Sequence, residues 1–186
     1  KEYQLFSASH KFQLGADHFI TEYIRTEHPS GPRKNSETES FGIFVTNRWK
    51  ITDQLIANAG ARYNQYSGRF RTDEKKSFDT SKIWVNGAVS KSDWDNSAYS
   101  LGFTYLLNKD TSLFASYATS FRIPNVDELS ESEQGLRPQE GVHIEAGGRQ
   151  RFGNLMSVTV SIFDIRIEDE IYYSDINRNY DDKTIR

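Results

Sequence analysis

Apolar and polar residues alternate along most of this 186-residue chain, with the two-residue period of a β-strand. Phe41, Ile43 and Val45, for example, share one face of such a strand, whereas Thr46 and Arg48 fall on the other. We predict eight strands on this basis, at residues 2–13, 18–27, 40–51, 54–70, 97–107, 112–122, 142–152 and 155–167. Most of them reach the length of about ten residues at which a tilted strand crosses a membrane.

The predicted connections between these strands alternate in length. Tight turns are predicted at residues 14–17, 52–53, 108–110 and 153–154, and long polar loops at 28–39, 71–96 and 123–141. Short turns at one end and long loops at the other are typical of an outer-membrane β-barrel, in which the short turns face the periplasm. A soluble antiparallel sheet packed on a core shows the same face alternation, so patterning alone leaves that alternative open.

The last predicted strand changes phase along its length. Val158 and Val160 lie on one face, whereas Phe163 and Ile165 continue the apolar run on the other face. One extra residue in a strand moves all later side chains to the opposite face. We therefore predict a β-bulge near Ile162.

Composition narrows the class of protein. Hydrophobic residues make up 36 % of the chain, and no run approaches the about 18 apolar residues of a spanning helix. A β-barrel remains compatible with this, because only alternate residues of its strands face lipid. The net charge of −3 disfavours a nucleic-acid partner, and the absence of cysteine removes disulfides and thiolate metal sites. Since the first residues lack the apolar core of a signal peptide, we predict an internal piece of a longer protein.

Candidate catalytic and metal-binding residues are few. The four histidines, His10, His18, His28 and His143, lack the close spacing of a zinc site, and no Gly-x-Ser-x-Gly sequence is present. Acidic residues cluster in the predicted loops, but none follows the calcium-loop sequence. We therefore predict no enzyme, no metal and no cofactor, and keep as the alternative a barrel hydrolase that uses His143 and a serine facing the lumen.

Candidate ligand contacts lie in the predicted loops. Trp84 and Trp94 fall in the loop 71–96, Tyr172 and Tyr173 follow the last predicted strand, and Arg122 stands at a loop mouth. Aromatic rings suit stacking on a flat ligand, and a guanidinium binds carboxylate or phosphate. The alternatives are an aromatic belt at the membrane interface and pairing of Arg122 with an acid inside the barrel.

Residues 111–140 carry a recognisable order of motifs. A strand ends in Phe-Arg-x-Pro, Asp-Glu-Leu follows, and a loop closes in Leu-x-Pro-x-Glu, supplied by Phe121, Arg122, Pro124, Asp127, Glu128, Leu129, Leu136, Pro138 and Glu140. This order resembles the barrel domain of TonB-dependent outer-membrane receptors. Residues 41–63 and 15–26 are similar to two hairpins of the same family.

The resemblance implies an all-β fold, an antiparallel transmembrane β-barrel of which residues 1–186 form a part. The plug domain, the TonB box and the C-terminal strands are expected outside this sequence. It further implies the outer membrane of a Gram-negative bacterium, with contacts to lipid, to the TonB complex through the plug, and to a small imported nutrient.

A ferric siderophore is the predicted nutrient. Haem receptors of the family carry a histidine between the two motifs, and none lies between Pro124 and Leu136. Cobalamin or another large solute is the second choice. A barrel without transport function and a soluble β-rich binding module are the alternatives from other classes.

Overall fold

The protein, described here by a computed structural model, is built almost entirely of β-strands. The structure describes residues 2–5, 8–26, 28, 31–78, 81–131, 136–174 and 179–185. Within them lie ten strands and one short helix: β1 Glu2–Leu5, β2 Ala8–Thr26, β3 Arg33–Lys50, β4 Leu55–Phe78, β5 Ser81–Val85, β6 Val89–Leu106, β7 Thr111–Arg122, α1 Val126–Glu131, β8 Gln139–Phe152, β9 Met156–Ser174 and β10 Asn179–Ile185.

The strands form one antiparallel sheet in the order β1-β2-β3-β4-β6-β7-β8-β9-β10, with β5 paired on the far end of β4. The sheet is open, with β1 and β10 at its two edges. The predicted all-β antiparallel fold is therefore confirmed. About eight strands were expected. The described residues contain seven long strands and three short ones, β1, β5 and β10.

The predicted turn at residues 14–17, and with it the hairpin at 15–26, is wrong. β2 continues without interruption, and its register with β3 is unbroken from Ser9 opposite Lys50 to Thr26 opposite Arg33. Gly15 does not form a turn. A Cβ at this position would collide with the ring of Phe44 on β3. The glycine therefore makes room for a cross-strand aromatic ring.

The predicted loop 71–96 is mostly strand. β4 continues to Phe78, β5 returns along it, and β6 begins at Val89. The loop predicted at 28–39 is likewise shortened, because β3 begins at Arg33. Both segments lie beyond the apolar part of the sheet, where strands no longer alternate between apolar and polar residues. The loop predicted at 123–141 is present between Arg122 and Gln139 and contains α1.

One face of the sheet, hereafter the outer face, is apolar and exposed. It carries the odd-numbered residues of β3, β4, β6 and β7 and the even-numbered residues of β2, β8 and β9. Its exposed members include Phe12, Leu14, Ile20, Phe41, Ile43, Trp49, Tyr63, Tyr99, Leu101, Phe103, Tyr105, Leu113, Tyr117, Ile144, Phe152, Val158, Val160 and Ile162. An exposed apolar surface of this extent marks contact with a membrane or another apolar partner.

Aromatic rings mark a boundary across the outer face. The rings belong to four neighbouring strands: Phe41 on β3, Tyr63 on β4, Tyr99 on β6 and Tyr117 on β7. From each strand to the next, the ring is shifted by two residues toward the short turns, relative to the residue that pairs with the preceding ring. A horizontal membrane surface meets tilted strands along such a diagonal, and aromatic girdles line the interfaces of outer-membrane barrels. The outer face therefore spans lipid between this diagonal and the end with the short turns.

The predicted β-bulge at Ile162 is also wrong. The register of β8 and β9 is constant from Glu140 opposite Glu168 to Phe152 opposite Met156. Apolar residues leave the outer face beyond Ile162 because β9 has passed the aromatic boundary. The irregularity of β9 lies further on, at Asp169, which has a φ of 53° and stands where the register with β10 shifts.

Candidate functional site

The inner face of the sheet is polar, and its charges are paired across strands. Arg62 on β4 donates from Nη1 and Nη2 to the carboxylate of Asp17 on β2, at 2.8 and 2.7 Å. The guanidinium also donates to Asn64 Oδ1 at 3.0 Å. It crosses β3 above Gly42, where a Cβ would collide with Arg62. A bidentate pair of this kind holds three strands of the barrel wall together in a fixed register.

Aromatic side chains lie on the inner face directly beyond this ion pair. Phe19, Tyr66 and Trp94 share one cross-strand row, in which Ser40 on β3 separates Phe19 from Tyr66. The rings of Tyr66 and Trp94 are 5.6 Å apart and tilted by 43°. Phe19 remains 61 % exposed, so its face is open to the interior. We name Phe19, Tyr66 and Trp94 the inner aromatic cluster.

The segment that follows β7 folds into a capped helix. Asn125 is the N-cap of α1, because its Oδ1 accepts hydrogen bonds from the amides of Asp127 and Glu128 at 2.9 and 3.0 Å. Glu128 Oε2 in turn accepts from the Asn125 amide at 2.8 Å, which completes a capping box. Arg122 Nη1 donates to both oxygens of Glu128, at 3.0 and 3.1 Å. The Phe-Arg-x-Pro and Asp-Glu-Leu motifs thus build one local structure.

We name residues 123–131, which contain α1, the strap, because they cross the inner face. Asp127 forms ion pairs with Arg25 at the end of β2, at 2.5 Å, and with Lys34 at the start of β3, at 3.4 Å. α1 also contacts β3, β4 and β10. The chain returns to the sheet through Arg137, which donates to Asp169 at 2.6 Å. The strap therefore connects β7 with strands on the far side of the interior.

Most of the other residues of the motifs are buried or take part in backbone pairing. Pro124 and Leu136 are buried, the Leu129 amide donates to Asn125 O at 3.0 Å, and Glu140 pairs with Phe121 between β8 and β7. Pro138 directly precedes β8.

The five predicted ligand contacts do not form one site. Trp94 belongs to the inner aromatic cluster, whereas Trp84 lies on the outer side, with the guanidinium of Arg33 4.8 Å from its ring centroid. Arg122 binds Glu128 in the strap. Tyr172 and Tyr173 are exposed at the end of β9 and pair with β10. The sequence analysis did not identify Phe19 and Tyr66, although the alternation places both residues on the polar face of their strands.

Asp73 anchors the part of β4 that extends beyond the membrane. Its side chain is fully buried, and Arg33 and Asn35 donate to it at 2.9 and 2.8 Å. Arg71 pairs with it at 2.7 Å, and the Gly87 amide donates to it at 3.3 Å. Burial alone raises the pKa of this carboxyl group, but the hydrogen bonds from Arg33, Gly87 and Arg71 outweigh burial and hold the pKa below its usual value.

The lowered pKa of Asp73 predicts how this anchor responds to acid. A group with a depressed pKa in the folded state contributes stability above its unfolded pKa, and this stability is lost as the pH falls through the folded pKa. We expect the amides of residues 81–89 to keep their hydrogen-exchange protection from neutral pH down to about pH 4, the ordinary aspartate pKa, and to lose it below. Asp73→Asn should show weak protection throughout this range. Equal pH profiles for the two proteins would contradict the anchor.

Within the described residues, no helix is long and apolar enough to cross a membrane. No group of three or more histidine, aspartate or glutamate side chains there is placed to hold a metal ion.

An open antiparallel sheet with an apolar outer face, a staggered aromatic boundary and a polar inner face forms part of the wall of an outer-membrane β-barrel. The sequence matches the family described as "TonB dependent receptor-like, beta-barrel" over residues 2–186. The chain belongs to this family and is a protein of the Gram-negative outer membrane, as the resemblance predicted. TonB-dependent receptors interact with TonB and bind small ligands.

Solved structures of the same fold are similar to this chain. The closed form of the ferric-catecholate import receptor Fiu from E. coli K12 has a TM-score of 0.74 at 16 % identity, over 98 % of this chain and 32 % of its own. The alcaligin receptor FauA from Bordetella pertussis gives 0.71 at 15 %, over 98 % and 32 %. The copper transporter OprC gives 0.67 at 11 %, over 97 % and 31 %. The chain spans about a third of the length of each.

Proposed function

We propose that this chain forms part of a receptor that imports a ferric siderophore across the outer membrane. The inner aromatic cluster carries the proposal, because it places three ring side chains on the inner face beside the Arg62 guanidinium. Aromatic rings and cations together suit an anionic iron chelate that contains aromatic groups, such as a catecholate. Import would be driven by the TonB complex, which would act on a plug domain in another part of the same polypeptide.

The similar structures support a siderophore more than a bare metal ion. Two of the three are named as receptors for a ferric catecholate and for alcaligin, and the third as a copper transporter. Copper sites favour thioether, thiolate and imidazole ligands. In this part of the barrel the single methionine, Met156, lies on the outer face, cysteine is absent, and the histidines of the described residues are not grouped with other metal ligands.

Growth under iron limitation tests the proposed function. A strain lacking the full-length receptor is grown with one purified siderophore at a time, and the gene is restored on a plasmid as the control. We expect loss and restoration of growth on a catecholate siderophore. Unchanged growth on every siderophore would contradict the proposal, and a defect confined to cobalamin use or copper uptake would replace it with the corresponding nutrient.

Trp94 and Trp84 offer a matched pair of variants. Trp94→Ala removes a ring of the inner aromatic cluster, whereas Trp84→Ala removes a ring on the outer side. Because one aromatic contact contributes about 0.5–1.5 kcal/mol beyond its buried area, we expect Trp94→Ala to weaken binding of a ferric catecholate to the full-length receptor by about three- to tenfold. Fluorescence titration measures this. An equal loss in Trp84→Ala would show that the inner cluster has no special role.

A further inference from the structure

We propose that Arg25 and Lys34 form a carboxylate-binding subsite that Asp127 occupies as an internal substitute for the ligand. An anionic group of the ligand that takes the place of Asp127 releases the strap from β2 and β3. This inference rests on the proposed function, because it assigns a ligand contact to the same interior. It concerns anionic oxygens generally, whether carboxylate or catecholate.

The two cations form a preorganised pair. Arg25 on β2 stands opposite Lys34 on β3 in the strand register, and both side chains point to the inner face. Like charges directly opposite each other in a sheet are destabilising. The Lys34 side chain is only 7 % exposed, and a buried ammonium group requires an anionic partner. The pair therefore favours any anion that bridges it.

Asp127 bridges the pair in the way a ligand carboxylate would. Arg25 Nη1 donates to Oδ2 at 2.5 Å, and Lys34 Nζ lies 3.4 Å from Oδ1. Each cation thus uses a separate oxygen of one carboxylate. Asp127 is 102 positions from Arg25 in the sequence and reaches the pair only because the strap crosses the interior. Its side chain is 23 % exposed, so a solute can approach it.

Loss of the contacts between Asp127 and the two cations leaves the strap attached to β7. The contacts of Arg122 with Glu128 and the capping box of Asn125 involve only β7 and α1. They remain when Asp127 leaves Arg25 and Lys34. Exchange of one carboxylate for another therefore detaches Asp127 from β2 and β3, and α1 uncovers the interior on that side as it also leaves its contacts with β3, β4 and β10. Ligand binding and strap position are coupled through their competition for the same two cations.

A distance measurement on the full-length receptor tests this coupling. Spin labels are attached to cysteines introduced at residue 130 in α1 and at residue 37 on β3, and the distance distribution is recorded by pulsed electron paramagnetic resonance. The probe is malonate, a small dicarboxylate without iron. Malonamide, its neutral analogue, and sodium chloride at matched ionic strength are the controls. Because no siderophore is used, failure of the proposed function and failure of this inference are distinguishable.

We expect malonate to lengthen the wild-type distance by at least about 5 Å, one helical pitch, and malonamide and salt to have no such effect. Asp127→Asn should show the longer distance without malonate. Asp53→Asn, which removes an exposed ion pair with Lys50 at the opposite rim, should behave as wild type. A wild-type distance that malonate leaves unchanged, or that malonamide shifts equally, would overturn the inference. The wild-type comparison holds even if Asp127→Asn fails to fold.

Discussion

Glu128→Ala is expected to detach the strap from β7 and to destabilise the docked helix by about 3 kcal/mol. The substitution removes the carboxylate that accepts the Asn125 amide in the capping box and that binds Arg122. Loss of a helix cap costs about 1 kcal/mol. Breaking a buried ion pair costs about 3–5 kcal/mol. We expect a smaller cost for this pair, because the Arg122 side chain is 43 % exposed and becomes hydrated when Glu128 is removed.

Hydrogen exchange on the full-length receptor measures this effect at the amides of α1. Glu128→Gln is the matched control, because its amide oxygen still accepts the Asn125 hydrogen bond while the charge is lost. We expect exchange in α1 to accelerate strongly in Glu128→Ala, moderately in Glu128→Gln, and not at all in β3 or β4. Unchanged protection of α1 in Glu128→Ala would refute the structural role assigned to the motif.

Phe103→Arg is expected to destabilise the barrel by about 2–4 kcal/mol, the cost of an arginine facing the middle of a bilayer. Phe103 is exposed on the outer face of β6, midway between Tyr99 at the aromatic boundary and Leu107 at the short turn. Ser100 on the same strand faces the interior, so Ser100→Arg introduces the same charge on the polar side.

Urea titrations of the full-length receptor in lipid vesicles measure both variants. We expect Ser100→Arg to stay within about 1 kcal/mol of wild type, because surface substitutions in a polar environment have small effects. Equal destabilisation by the two substitutions would mean that the faces of β6 do not differ in their contact with lipid.

The alternation of apolar residues predicted the fold where strands cross the membrane. The apolar parts of β3 and β6 were predicted nearly in full, because lipid contact imposes a two-residue period on Phe41 to Trp49 and on Tyr99 to Tyr105. Beyond the aromatic boundary this constraint disappears. The segment 71–96 therefore looked like a loop, although hydrogen bonds to Asp73 and pairing with β5 keep it ordered.

The candidate site was less accessible to sequence reasoning, because it depends on register across strands. Phe19, Tyr66 and Trp94 lie far apart in the chain and meet only when β2, β3, β4 and β6 pair as they do. Asp127 was recognised as part of a motif, but its partners Arg25 and Lys34 follow from the path of the strap. Local patterns contain no information on such a path.

We conclude that the apolar outer face meets lipid while the polar inner face lines the interior of the barrel. Nitroxide labels placed one at a time on residues 99–106 of β6, in the full-length receptor in lipid vesicles, test it directly. We predict that collision with oxygen, which concentrates in lipid, is high at odd-numbered positions, and that collision with a water-soluble nickel complex is high at even-numbered positions. A uniform profile, or alternation in the opposite phase, would contradict this orientation of the two faces.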